Sequence, residues 1–305
     1  MKTLSQLTTE SNNCASKDID CMSSLEIVQL MNREDGKIIE AVREECEHIA
    51  AGIDLIVNAF QQNGRLFYCG CGTSGRLGVL DASECPPTFG TPPELVVGLI
   101  AGGDVALRNA VENAEDNEAA GADDLKARGF CSKDVVVGIS ASGRSPYVLG
   151  AMAYAKELGA PVIGVSNNQD CQMVGLADVM IAPEVGPEVI QGSTRLKSGT
   201  AQKMVLNMLS TGAMIRIGKV YHNLMVDMCP SNQKLYERAL RLVKQSTGCT
   251  DEVALDALQK CGYHVKTAII MVLTDLDAQK SQELLKANGG HIRKVLAKRE
   301  EISRE

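Results

Sequence analysis

RLFYCGCGTSGR, residues 65–76, carries an apolar run of strand character into a loop with three glycines, a Thr and a Ser, and then into a helix-forming stretch. A helix that starts this way presents unpaired N–H groups and the positive end of its dipole, and its glycines let a ligand come close to the backbone. Gly72, Thr73 and Ser74 are therefore candidate ligands for an anion, with phosphate the natural choice. The plainer alternative is a tight turn that packs a helix on a strand. The loop has neither the Walker A spacing nor that of the dinucleotide fingerprint.

Outward from this stretch the same grammar repeats. VVGLIAGG (96–103), VVVGIS (135–140), VIGVS (162–166) and VMIAP (179–183) are short apolar runs that end in glycine, hydroxyl or proline, with helical patterns between them. Strands apolar on both faces and separated by helices predict a parallel sheet of five strands in a three-layer α-β-α sandwich, with any ligand at the strand carboxyl ends. VVVGIS runs into a second hydroxyl loop, Ser140, Ser142, Gly143 and Ser145, and Pro146 suits the first turn of the next helix. Two such loops on one sheet strengthen the case for anion binding, since capping needs only one hydroxyl.

A third segment, VGPEVIQGSTRLKSGTAQK (185–203), sets Arg195 and Lys197 just ahead of a long helix. Cations oppose the dipole there, and an anionic partner would relieve the conflict. Carboxylates form the fourth group. Glu84 sits in ASECPP (82–87), where two prolines should end a helix. Glu112 and Glu115 read as one face of a helix starting near Asp104, so periodicity does not choose between them.

Before residue 62 the apolar positions Ile39, Val42, Cys46, Ile49, Ile53, Ile56 and Val57 predict a long amphipathic helix. Beyond Thr200 the chain reads as helix, and Thr250 with Asp251 and Glu252 opens a small helical domain of about three helices. The expected organisation is N-terminal helices at 1–62, the sandwich at 63–220, a connecting helix at 221–246 and the helical domain at 247–305. Lys+Arg 31 against Asp+Glu 38, with no basic stripe, argues against nucleic acid. No long apolar run or export signal points to a membrane, so the eleven cysteines are expected as reduced thiols in the cytoplasm. Cys69 and Cys71 have no matching Cys/His pair, and no metal is expected. Aromatics at 3% with no Trp leave recognition to polar groups.

The blocks GCGTSGRLGVLDASECPPTFG, VVGLIAGG, AVENAEDNE, DVVVGISASGRSPYV, GSTRLKSGTAQK and NLMVDM stand together in an order that resembles the N-acetylmuramic acid 6-phosphate etherases, of the sugar isomerase (SIS) fold group. The resemblance is essentially full length. GSTRLKSGT is shared with the glucokinase regulatory protein, which binds sugar phosphates without catalysis, and Cys71 stands where the family usually has alanine. The resemblance implies a homodimer acting on a small sugar phosphate with no metal or other cofactor. Under the resemblance Glu84 would be the acid and Glu115 the second catalytic group; charge alone, not the resemblance, makes Arg195 or Lys197 the expected receiver of the lactate carboxylate. Regulation without catalysis and aldose-ketose isomerisation are the competing readings, and paired glutamates favour the etherase. A helix unbroken from Gly75 to Ser83 would carry Glu84 about 13 Å from the phosphate loop. Either the prolines turn Glu84 back toward the pocket, or it completes the partner subunit's site.

Overall fold

The structure is a computed structural model that describes residues 7–228, 230 and 232–302. It divides into two compact units: residues up to Ser83 together with Pro93–Thr211, and Glu84–Pro92 together with the chain from Gly212 onward.

The first unit opens with α1 (Ser24–Asp35), α2 (Lys37–Glu44) and α3 (Cys46–Gln61). Ser23 and Glu26 close a capping box at the start of α1. The single long helix expected over residues 39–57 is two helices, because the chain leaves helical geometry at Glu45 (φ −93°, ψ 3°). The sheet and its helices follow as β1 (Leu66–Gly70), α4 (Gly72–Phe89), β2 (Val96–Ile100), α5 (Val105–Arg108), α6 (Glu118–Ala127), β3 (Val135–Ile139), α7 (Pro146–Glu157), β4 (Val162–Val165), β5 (Val179–Ile181) and α8 (Lys197–Arg216).

All five strands pair in parallel in the order β2-β1-β3-β4-β5. Phe67 and Cys69 face one side, where they join Leu125 of α6 and Tyr147, Val148, Ala151 and Met152 of α7 in a fully buried cluster. Tyr68 and Ile139 face the other side, against Gly78 of α4. Gly52 of α3 meets Leu209 of α8 and Ile163 and Ile181 of the sheet. Helices on both faces complete the expected three layers, and burial of each large apolar side chain contributes about 1.5–3 kcal/mol. Helices α6 and α7 cross closely because both contacts are glycines: a Cβ at Gly121 would lie 1.9 Å from the Tyr147 carbonyl, and one at Gly150 2.0 Å from that of Glu118.

Helix α4 corrects the reading of ASECPP. It continues through Pro86 and Pro87 to Phe89, where the Gly90 N–H still reaches the Pro86 carbonyl at 2.9 Å. The prolines remove two N–H donors without ending the helix, so Glu84 stays on a continuous, exposed helical surface.

In the second unit, β6 (Val220–Tyr221) and β7 (Leu224–Met225) form a short hairpin, followed by α9 (Gln233–Thr247), α10 (Asp251–Lys260), α11 (Val265–Thr274), α12 (Ala278–Ala287) and α13 (Ile292–Ile302). Thr250 accepts from the Val253 N–H and caps α10 as expected. Ala239, Leu242 and Val243 of α9 share one core with Leu258, Ile269, Ile270, Leu285 and Val295, so the expected connecting helix belongs to this unit. Among the described residues four helices, rather than three, follow residue 247. The fourth starts just after Gly289 and Gly290, both at positive φ, in a charge-rich stretch whose apolar period is short. Among the described residues no helix is long and apolar enough to cross a membrane.

Candidate active site

Register places the two hydroxyl loops side by side. Gly70 lies opposite Ile139 in the β1/β3 pair, and Ile139 opposite Val165 in the β3/β4 pair. The loops after these strands therefore leave the sheet together. The chain runs from β1 outward to β2 and then crosses back to β3 on the other side of β1, so the crevice between β1 and β3 is the topological switch point where such sheets bind ligands.

The second loop is folded on itself. The Gly143 N–H donates to Ser140 Oγ at 3.1 Å, Ser140 and Ser145 hydroxyls lie 2.9 Å apart, and Ser142 Oγ is 3.4 Å from Ser140 Oγ. Gly143 has φ +67°, and a Cβ there would come within 2.4 Å of Cys171, so only glycine closes this turn. The Ala141 carbonyl accepts from the Asn167 N–H at 3.0 Å and from Asn168 Nδ2 at 2.9 Å, which fixes the loop to the end of β4.

Glu115 meets this loop in a way the sequence did not indicate. Helix α5 ends at Arg108 and α6 starts at Glu118, so Glu115 lies in the intervening turn rather than on a helix with Glu112. Its carbonyl accepts the Tyr147 N–H at 3.0 Å, and its carboxylate accepts the Ser145 hydroxyl. Backbone and side chain thus clamp Glu115 on the N-terminus of α7, where a negative charge is favoured. Since the Ser145 proton goes to Glu115, Ser140 must donate to Ser145, and the hydroxyls form a chain that ends on the carboxylate. The thiol of Cys71 lies in the same spot. Burial, and then the charges of Glu115 and Asp116, push it up to about 12, so it stays protonated.

On the first loop, Ser74 is buried and its hydroxyl donates to Gln202 Oε1 at 2.8 Å, while Thr73 stands half-exposed against Gly199. No local sequence pattern marks Gln202 as part of this site. The polar run SNN after β4 was the available signal for Asn167.

Gly72, Thr73 and Ser74, in the first turn of α4, and Ser140, Ser142, Gly143, Ser145 and Glu115, in loops, thus lie at one end of the sheet, and Arg195 is exposed on the adjoining 192–199 segment. Lys197 does not join them. It is fully buried, and its ammonium lies 2.7 Å from Glu34 Oε2. The anion expected at the N-terminus of α8 is internal: Glu188, itself fully buried, accepts the N–H groups of Lys197 at 3.0 Å and Ser198 at 2.9 Å. Burial raises the Glu34 pKa, but Lys197, Lys37 and Asn13 outweigh it and hold the carboxyl down to about 2. Lys197 is therefore corrected from a candidate for the lactate carboxylate to a charge balanced in the interior. Glu84 is exposed on the part of α4 that belongs to the second unit.

Residues 48–156 match the glucokinase regulatory protein N-terminal SIS domain, 120–212 the SIS domain, and 222–280 the C-terminal lid domain of glucokinase regulatory protein. An N-acetylmuramic acid 6-phosphate etherase of Photorhabdus laumondii subsp. laumondii is 56% identical over 294 residues, 96% of this chain and 98% of the relative. The chain belongs to the N-acetylmuramic acid 6-phosphate etherase family. A second member of this etherase family, from Klebsiella aerogenes, is 55% identical over the same shares of both chains. A phosphoheptose isomerase from Francisella tularensis, known by structure, aligns over 62% of this chain and 100% of its own at 21% identity and TM-score 0.49. Like the etherase relatives, this chain is an enzyme acting on a sugar phosphate, with GCGTSGR and SASGRS as its hydroxyl loops.

Proposed function

We propose that this protein is a carbon-oxygen lyase that cleaves the lactyl ether of N-acetylmuramic acid 6-phosphate to N-acetylglucosamine 6-phosphate and D-lactate, as a cytoplasmic homodimer in cell-wall amino-sugar recycling. The observation that carries this reading is the Glu115 carboxylate fixed by Ser145 beside two hydroxyl-amide loops. Those loops suit a phosphate remote from the bond that breaks, and they supply orientation rather than bond cleavage.

In the open-chain sugar the C1 aldehyde acidifies the C2 proton. Glu115 removes that proton, the electrons form the C2–C3 double bond, and the C3–O bond to lactate breaks as the leaving oxygen takes a proton. Water then adds at C3 and a proton returns to C2. Glu84 is the proposed acid, and its exposure on α4 fits a residue that completes the partner subunit's site. Arg195, exposed on the 192–199 segment, is the proposed receiver of the lactate carboxylate.

The test is release of D-lactate from N-acetylmuramic acid 6-phosphate. Glu115→Gln is expected to lower the rate at least about 100-fold and to abolish exchange of the C2 proton with deuterated water. Glu84→Gln is expected to lose lactate release while keeping exchange. Normal exchange in Glu115→Gln would remove Glu115 as the base.

A further inference from the structure

A buried chain of four polar groups runs from the sheet to the first loop, and its order fixes the direction of each hydrogen. Asn167 Nδ2 lies 3.0 Å from the Pro183 carbonyl, Gln202 Nε2 lies 3.2 Å from Asn167 Oδ1, and Ser74 Oγ lies 2.8 Å from Gln202 Oε1. A backbone carbonyl has no proton, so Asn167 must present its amino group to Pro183 and its oxygen to Gln202. Gln202 then presents its own amino group to Asn167 and its oxygen to Ser74. An amide oxygen only accepts, so the Ser74 proton is committed to Gln202. Reversing the chain would set the Asn167 oxygen against the Pro183 carbonyl, two acceptors face to face. Asn167 and Gln202 are each 1% exposed and Ser74 8%, so water does not repair such a mismatch.

We infer that Gln202 is a positioning residue that makes Ser74 a hydrogen-bond acceptor toward the ligand, reading a hydroxyl or amide N–H of the sugar and giving no hydrogen bond to the phosphate dianion. This rests on the reading that the pocket takes a sugar phosphate, and it separates the two loops by role. At the pH where the phosphate is a dianion, all its oxygens are acceptors. The lone pairs of Ser74 then repel it and are free for a sugar donor. Phosphate recognition falls to Thr73, the first-turn amides of α4 and the Ser140–Ser145 loop, while Ser74 reports on the carbohydrate. The same chain reaches the second loop, since the Asn167 backbone N–H holds the Ala141 carbonyl at 3.0 Å.

Calorimetric titration at pH 8 with inorganic phosphate and with N-acetylglucosamine 6-phosphate tests this in the full-length wild type, Ser74→Ala and Ser140→Ala. Ser74→Ala is expected to weaken the sugar phosphate about three- to tenfold, the worth of one neutral hydrogen bond, and to leave inorganic phosphate within about twofold. Ser140→Ala is expected to weaken both. Gln202→Met, which frees the Ser74 proton, is expected to bind inorganic phosphate as tightly as the wild type or more tightly while losing sugar-phosphate affinity. Equal loss of both ligands in Ser74→Ala, or loss of neither, overturns the inference. A wild type that binds phosphate but no sugar phosphate overturns the functional reading instead, and the phosphate arm still decides whether the Ser74 proton is available.

Discussion

Replacing Lys197 by methionine separates a structural lysine from a ligand-binding one. The Lys197 and Glu34 side chains are only 2% and 6% exposed and meet at 2.7 Å. Glu34 also holds Asn13 Nδ2 at 2.9 Å and the exposed Lys37 at 2.7 Å. These partners bring its carboxyl from 4.5 to about 2, and at about 1.4 kcal/mol per pH unit this is worth about 3 kcal/mol at neutral pH. Because the folded value is depressed, this stability is fully present above about pH 4.5 and is lost as the pH falls toward 2. Methionine keeps the length of the lysine stem and removes the charge. Glu34 is then left buried with two of its three partners, so Lys197→Met is expected to cost about 3 kcal/mol, the low end for a broken buried pair. Urea unfolding at pH 7 should show that loss, and the gap from wild type should narrow between pH 5 and pH 2. KM for the muramic substrate should hold wherever the variant remains folded. Unchanged stability with a raised KM would refute the reasoning and return Lys197 to the lactate-binding role.

Arg195→Met is expected to do the opposite, raising KM and weakening inhibition by D-lactate while stability stays within about 0.5 kcal/mol, as befits an exposed side chain. Unchanged KM and lactate inhibition would take Arg195 out of the site. Gly121→Ala is expected to destabilise by about 1–3 kcal/mol, since its Cβ would meet backbone atoms at 1.9 and 2.9 Å that move only if α6 or α7 moves. Glu115 is held by the N-terminus of α7, so lactate release should fall with the melting temperature; an unchanged melting temperature would show that the helices do not pack as described.

The alternation of apolar runs with helical periods was enough to read the five strands, the three layers and the two hydroxyl loops, because burial on both faces and tight glycine turns leave local marks on the sequence. Thr250 at its cap was legible for the same reason. Other features were not local. The two prolines suggested the end of α4, yet losing two N–H donors did not outweigh the packing of the whole helix, which continues to Phe89. Glu115 read as one of several acids on a helix; its distinction comes from Tyr147 and Ser145, about 30 residues away in sequence. Lys197 looked like a free cation because its counter-charge, Glu34, is 163 residues away.

By itself, then, the sequence determined the kind of fold, the glycine- and hydroxyl-rich character of its loops and, through long specific blocks, its family. Strand order and register decided the rest: which loops share the crevice between β1 and β3, which carboxylate stands beside them, and which charges are cancelled inside. Periodicity records how each segment meets solvent and core, whereas the pairing of distant polar groups depends on how the strands are laid side by side.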